Sequence, residues 1–393
     1  MPSPATCAAA GPIALMHAFV VVGGGMGGLV FARVMQMHGL DVVVYERDES
    51  PVARSQGGVL DLHVESGQWA LEVAGLADDF KRLARPEGED MRILTKEGVV
   101  LWEQVGEEPS MHRPEIDRPV LRRLLIDSLK PGTIRWNHQL VAVAPTGQGN
   151  HRLRFADGTQ VISEVVIGAD GVNSQVRALV TDAVPAYSGV SFIELGIADV
   201  QNRFPDVAAL VGRGSLFALG DDKGLIAQLN GDGRVRIYVA LRMAEGAFES
   251  LGIQFGNTAA TRAGLLSQFS DWAPSLRRLI EVCDDEFIPR AVTAMPVGIS
   301  WPSKPGITLL GDAAHQMSPF AGAGANVAMQ DGAALALALV GADDLHTAIA
   351  DFERAMFARA HECAEASAQG METCISPDGA HRLAEQMKQY AET

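Results

Sequence analysis

One stretch constrains the fold more than any other: FVVVGGGMGGLVFARVMQMHGLDVVVYERD, residues 19–48. An apolar run enters a knot of five glycines, an apolar helix pattern follows, and a second apolar run ends at Glu46. Ala18–Val22 has no polar residue, as a strand covered on both faces of a parallel sheet requires. Gly23, Gly25 and Gly28 stand at G-x-G-x-x-G spacing. The first permits a tight turn, the second lets backbone approach a pyrophosphate, and the third allows close helix–sheet contact. Leu29–Met37 carries the helical period, and the free amides at its start, around Met26 and Gly27, would face phosphates. Val42–Tyr45 is the next strand. Glu46 lies at its end beside Arg47, where a carboxylate can accept the ribose hydroxyls of a dinucleotide.

A lone glycine pattern is weak evidence, because a ligand-free turn uses the same residues. Strand, glycines, helix, strand and terminal acid together specify a dinucleotide site. Glu46 argues for an unphosphorylated ribose, hence FAD or NAD.

Composition removes other classes. The 393 residues suit two domains, and a net charge of −16 with no basic block argues against nucleic-acid and anionic-membrane partners. Cys7, Cys283, Cys363 and Cys374 are scattered without metal or disulfide spacing, so no metal is expected and a reducing, cytoplasmic setting is. Residues 1–15 read as a disordered extension, without the positive segment of a signal peptide. No stretch reaches the length of an apolar membrane span.

Two later motifs decide between the dinucleotides. In VISEVVIGADGVNSQVRALV, from Val161, Val165–Ile167 is a buried strand, Asp170–Gly171 a turn, and Ser174–Val180 a helix. In GITLLGDAAHQMSPFAGAGANVAMQDGAALALAL, from Gly306, Ile307–Leu310 is a strand and Gly311–Asp312 its polar exit. The glycine-rich loop Pro319–Asn326 then leads into a helix, Met329–Leu339. The chain resembles the class A flavoprotein aromatic hydroxylases of the para-hydroxybenzoate hydroxylase superfamily, and within them the TetX-like tetracycline monooxygenases. The segments RSQGGVLDLHVESGQWAL (54–71), RPEIDRPVLRRLLIDSL (113–129) and GDAAHQMSPFAGAGAN (311–326) carry the narrower resemblance.

The resemblance implies an α/β chain: a Rossmann-like FAD-binding domain of the GR2 type with an inserted antiparallel-sheet substrate domain and a C-terminal helix. The expected division is residues 16–185 and 290–345 for the FAD domain, 186–289 for the substrate domain and 346–393 for the helical tail. It places the FAD pyrophosphate over Gly23, Gly25 and Gly28, the adenosine ribose on Glu46, and Arg54 near the phosphates. Gly57–Gly58 would pass the flavin side, and Arg118 and Asp170–Gly171 would contact the cofactor. Asp312, after Gly311, would accept bonds from the ribityl chain. Backbone of Gly322, Ala323, Gly324, Ala325 and Asn326, after Pro319, would face the pyrimidine edge of the flavin, where helix-terminal amides stabilise negative charge.

The implied activity is hydroxylation of an aromatic or polycyclic compound by NAD(P)H and O2 through a C4a-hydroperoxyflavin, with non-covalent FAD, no protein nucleophile, and a monomeric enzyme. A single G-x-G-x-x-G unit means that NAD(P)H docks transiently. A non-oxygenating flavin oxidoreductase and a flavin-binding protein without turnover are the rival readings. Strands at Ser191–Val200, Ser215–Leu219, Gly224–Leu229 and Val235–Leu241 form the roof of the substrate site, followed by helix over Ala259–Cys283. Matching the TetX-like contacts gives Glu194, Ser215 and Ile237 as substrate residues, with Pro319, Phe320 and Gly322 from the flavin loop. Ser215 and Ile237 would replace an arginine and a histidine, so tetracycline is expected to bind poorly.

Other candidates have plainer readings. His315 suits packing and hydrogen bonding better than catalysis. Trp69 is expected in the core, with Trp102 a possible pocket aromatic. His361, Glu362 and Glu365 read as a solvated helix face. Arg122 and Arg123 fall on the helix Pro119–Leu129, whose apolar face is Leu121, Leu124 and Leu125; the arginines are expected on its solvent side.

Overall fold

The computed structural model describes residues 15–53, 57–106, 111–146 and 149–391. The first sheet has seven strands: β1 (Leu15–Val22), β2 (Val42–Tyr45), β7 (Ile134–Arg135), β8 (Leu140–Pro145), β9 (His151–Phe155), β10 (Gln160–Gly168) and β16 (Ile307–Leu309). Its order is β7-β2-β1-β10-β9-β8, with β16 also on β10. The four strands β7, β2, β1 and β10 pair in parallel, as does β16 with β10. The β9–β10 pair is the hairpin that Asp157–Gly158 marks in the sequence. Leu15, which the sequence assigned to the extension, is already in β1, paired with Val161; residues 1–14 of that expected extension lie outside the described residues.

The second sheet is larger in span and mostly antiparallel. Its order is β15-β11-β14-β13-β12-β4-β5, built from β4 (Met91–Leu94), β5 (Val100–Gln104), β11 (Ala186–Ile197), β12 (Ser215–Gly220), β13 (Lys223–Leu229), β14 (Val235–Arg242) and β15 (Ile288–Ala294). Alternate residues face opposite sides, and each side has its own core. Ile193, Leu195, Ile237 and Val239 pack on the helices of residues 205–211, 258–268 and 274–281. Phe192, Ile226, Phe217 and Tyr238 face the loop that holds Phe320 and the C-terminal helices Leu345–Cys374 and Gly379–Ala391. A ribbon of β3 (Val59–Asp61) and β6 (Glu115–Asp117) lies between the two sheets.

Several elements differ from the sequence expectation: the strand expected at Ser191–Val200 runs Ala186–Ile197, and Val200 opens a short helix instead. Ala259–Cys283 is two helices, Thr258–Gln268 and Pro274–Glu281, because Pro274 lacks the amide needed to continue the first. Ser174–Val180 shrinks to a single 3-10 turn, Arg177–Leu179, ahead of which Asp170 accepts from the Gln175 and Val176 amides. The helix expected from Met329 starts at Gly324, in a first turn whose amides need no partner within the helix. No helix among the described residues is long and apolar enough to cross a membrane.

Candidate flavin and substrate site

The glycines of the first loop have different jobs. Gly23 sits at φ 105°, and a Cβ there would lie 2.3 Å from the Ala169 carbonyl oxygen. At Gly28 a Cβ would lie 2.6 Å from the Gly23 oxygen, so both positions hold the loop against the sheet. Gly27 meets the Ala328 carbonyl at 2.3 Å and serves the packing of two helices, Met26–Met37 on Gly324–Leu339. It is a packing residue in this structure. Gly25 is the exception: its φ is −78°, any residue could adopt it, and the nearest protein atom to a Cβ is 3.9 Å away. Nothing in the protein requires glycine there.

Glu46 is buried at the end of β2, where Oε2 accepts from the Gly24 amide at 2.6 Å and Oε1 from the Asp48 amide at 2.9 Å. Those bonds aim the carboxylate at the mouth of the loop. Arg47 beside it is exposed, and Met26 is buried at the helix start. Gly57 and Gly58 lie between Arg118 and the second sheet. A Cβ at Gly58 would stand 3.1 Å from Arg236 Cδ and from the Tyr238 hydroxyl, and one at Gly57 3.7 Å from Arg118. Arg118 is half-buried and makes no ion pair among the described residues. Arg54 lies outside the described residues.

Asp170 accepts from Ser174 Oγ at 2.5 Å and from the Gln175 amide at 2.7 Å; burial nevertheless holds its carboxyl above the usual range. The sequence reading missed Arg177, which ties the same turn to the rest of the site. Buried Arg177 donates to the carbonyls of Val172 at 2.9 Å, Ala313 at 2.7 Å and Asp312 at 2.8 Å. One guanidinium therefore ties the turn after Gly171 to the turn after Gly311. Arg122, expected in solvent, is also buried and donates to the Gly24 carbonyl at 3.3 Å and to Pro51 at 2.8 Å, beneath the glycine loop. Arg123 is exposed and pairs with Asp127.

Asp312 is half-buried at a strand exit, and its carboxylate accepts no hydrogen bond from the described residues. His315 is not in the site but under it: its Nε2 meets Asp331 at 2.6 Å, and Arg359 reaches the same carboxylate at 3.1 Å. Burial alone would depress the His315 pKa, but the charge of and bond to Asp331, with Asp312, outweigh it and raise it. The Gly311 amide adds a bond to Asp331 at 3.1 Å, so this cluster fixes the floor of the loop.

Asn326 fixes its rim. Its side-chain amide donates to the carbonyls of Asp61 at 2.8 Å and Gly322 at 3.2 Å, and its oxygen accepts from the His63 amide at 3.0 Å. Gly324, with Ala325 after it, begins a helix of 16 residues, and a Cβ at Gly324 would have no protein atom within 4 Å. Ala323 is buried, whereas Pro319 and Gly322 are exposed. Asp61, beside Gly322, bonds His63 at 3.1 Å. Burial opposes its ionisation, yet His63 and Arg113 hold its carboxyl below the usual range.

These observations fit FAD. Open glycine positions at Gly25 and Gly324, a helix start, cations at Arg47 and Arg118, and an unpartnered carboxylate at Asp312 match a dinucleotide's phosphates, ring edge and hydroxyls in turn.

The FAD binding domain family matches residues 17–251 and 302–345. Monooxygenase asqM of Emericella nidulans is 30% identical over 424 residues, spanning 91% of this chain and 94% of its own. The chain belongs to the FAD-dependent class A monooxygenases. The flavoprotein fold also matches Klebsiella pneumoniae HpxO, whose crystal structure holds FAD and uric acid. The TM-score is 0.78 at 18% identity, covering 96% of this chain and 93% of that one. Tetracycline destructase Tet(55) matches at TM-score 0.74 and 18% identity, covering 96% and 95%. At that identity the likeness to Tet(55) is one of fold.

Over the flavin loop of this monooxygenase lies an aromatic face. Phe192 contacts Tyr238 and Phe320, with ring centroids 5.7 Å apart in each case. Trp102 is partly buried at the far side of the same face, and Trp69 packs on the first core. Glu194 is on this face, buried between Arg236 and Arg290. Ser215 is on it too and accepts from Gln228 at 3.3 Å. Ile237 is not: it is fully buried in the opposite core, and its neighbours Arg236 and Tyr238 face the flavin loop instead. The site therefore has a cation where the sequence placed an aliphatic, and a poor fit to tetracycline does not follow from a missing charge. His361, Glu362 and Glu365 are exposed, and the described residues contain no metal-binding cluster.

Proposed function

We propose that the chain hydroxylates a small aromatic or polycyclic molecule, with NAD(P)H as transient reductant and O2 as the source of the oxygen atom. The observation that supports this most is the meeting of two surfaces. The open glycine cradle ends at Gly322–Asn326, and the aromatic face of Phe192, Tyr238 and Phe320 lies against that loop. FAD bound in the cradle would supply the electron transfer and oxygen activation. The protein would hold its pyrophosphate over Gly25 with Arg47 and Arg118, its ribose on Glu46, its ribityl hydroxyls on Asp312 and its ring edge on the amides from Gly324. The aromatic face excludes water and fixes the plane of the substrate. No side chain is assigned a nucleophilic or acid–base step.

Kinship with a monooxygenase and a shared fold with the uric acid complex support an aromatic or heterocyclic substrate. The narrower TetX-like reading rests on segments 54–71, 113–129 and 311–326, all on the cofactor side, and so speaks to the cofactor more than to the substrate. The test has two parts. Acid release and chromatography should yield FAD at one per chain; FMN or no flavin would end the reading. A panel of aromatic and polyketide compounds should then contain one that accelerates NAD(P)H oxidation and gains one atom of isotopically labelled O2. Turnover without incorporation would favour the non-oxygenating oxidoreductase.

A further inference from the structure

We propose that the site selects an acidic substrate: an aromatic molecule carrying a carboxylate, or an ionised phenol or enol, received by Arg236 and Arg290. The inference rests on the function proposed above and names the substrate class of that site.

It begins with a charge count. Arg236 on β14, Glu194 on β11 and Arg290 on β15 sit on three adjacent strands of the second sheet. Glu194 is 5% exposed, and both its oxygens are taken, Oε1 by Arg236 Nη1 and Oε2 by Arg290 Nε at 2.8 Å. One guanidinium suffices to neutralise a buried carboxylate, yet two are present. The cluster therefore carries one positive charge in excess, beside the apolar residues Phe192, Ile226, Phe217 and Tyr238 of the same face.

The excess is also an excess of donors. Arg236 Nε is buried with no hydrogen-bond partner, which costs stability unless something else supplies an acceptor. The Arg290 side chain is 53% exposed, with donors beyond the one given to Glu194. The Tyr238 hydroxyl makes no hydrogen bond to the described residues and lies with Arg236 against Gly58; burial raises its pKa, against the opposing pull of the Arg236, Arg118 and Arg290 charges. Asp117, the carboxylate next to Arg118 in the chain, is committed to Arg85 and to the Gly231 amide. A planar anion offers what is missing: two acceptor oxygens for a guanidinium fork and an aromatic body for the apolar face. The position suits substrate rather than pyrophosphate, since Gly58 separates Arg236 from Arg118 and Gly57.

The test uses the holoenzyme and matched pairs that differ only in charge, benzoate with benzamide and naphthoate with naphthamide. Each is titrated near neutral pH while the flavin absorbance is followed. The acid of at least one pair should bind at least about tenfold more tightly than its amide. R290Q, at an exposed side chain that the fold does not need, should remove most of that advantage and leave amide binding unchanged. E194Q should move the other way and tighten acid binding several-fold, because it deletes the competing carboxylate. A merely structural Glu194 would weaken acid and amide alike. Equal affinity within every pair, silence from both members of every pair, or weaker acid binding in E194Q would overturn the inference with the flavin still in place. A protein that holds no FAD would overturn the proposed function as well.

Discussion

The two halves of the site are made of different material. On the cofactor side the working surface is backbone: glycines that admit close approach, amides at a helix start, and carbonyls tied together by Arg177. On the substrate side it is side chain: an aromatic cluster and a charged triad projecting from one face of a sheet. Backbone geometry tolerates few residue types, so the cofactor half is nearly fixed. Side chains on a sheet face can change without disturbing the ladder, so the substrate half is free to set specificity.

The comparison breaks first where the cofactor half depends on a buried side chain. Asp331 holds His315, Arg359 and the Gly311 amide together beneath the flavin loop. Asp331→Ala should cost about 3–5 kcal/mol of stability, because it leaves two cationic or donor groups buried without an acceptor. Denaturant unfolding measures it, and FAD retention should fall in parallel. A loss under 1 kcal/mol, on the order of a surface change, would mean that the loop is fixed by backbone alone.

Asp312 sharpens the contrast, since its carboxylate serves no protein group among the described residues. Asp312→Ala should lower FAD affinity by about 1.5–3 kcal/mol, roughly tenfold to a hundredfold, with an unchanged unfolding midpoint. Apoprotein titration gives the first number and thermal unfolding the second. Equal FAD affinity would remove Asp312 from the cofactor site.

Glu115 tests the seam, the β3–β6 ribbon between the halves. Burial pushes its carboxyl up to about 8 despite Arg85, from a usual value of 4.5. The folded chain thus keeps a proton that the unfolded chain has lost, and the contribution is complete below about 4.5 and fades as pH rises through 8. Stability should fall between those limits by at most about 1.4 kcal/mol per pH unit from this group. Glu115→Gln should flatten the slope; an unchanged slope would place the titration elsewhere.

The smallest effect belongs to the outward side of the substrate sheet. Ile237→Val should cost about 0.5–1.5 kcal/mol of stability and leave ligand binding alone. A changed substrate preference with stability intact would return Ile237 to the pocket.

How much could be read in advance follows the same division. The tight turns at Gly23 and Gly28 and the loop before the helix at Gly324 were legible as backbone features because glycines at fixed spacing leave a mark in the sequence. Arg177 and Arg122 left none, because their partners are carbonyl oxygens that any residue supplies. Ile237 was misplaced by one position, and on a strand one position is the whole difference between the faces. Glu194 stands on the expected face, but the two arginines that pair with it come from neighbouring strands whose register only the fold reveals. The division extends to helices: Pro274 marks the break within Ala259–Cys283, whereas the start at Gly324 depends on the flavin loop packed before it.

The central claim is that one half of the site is built for FAD and the other for substrate. FAD dissociation constants of wild type, Gly25→Val and Arg236→Gln, measured by titrating apoprotein, test it most directly. Gly25 has an ordinary φ and open space, so valine should fold normally and weaken FAD by about a hundredfold or more through ligand clash alone. Arg236→Gln should leave FAD affinity unchanged. Normal FAD binding by Gly25→Val, or a comparable loss in Arg236→Gln, would contradict the account.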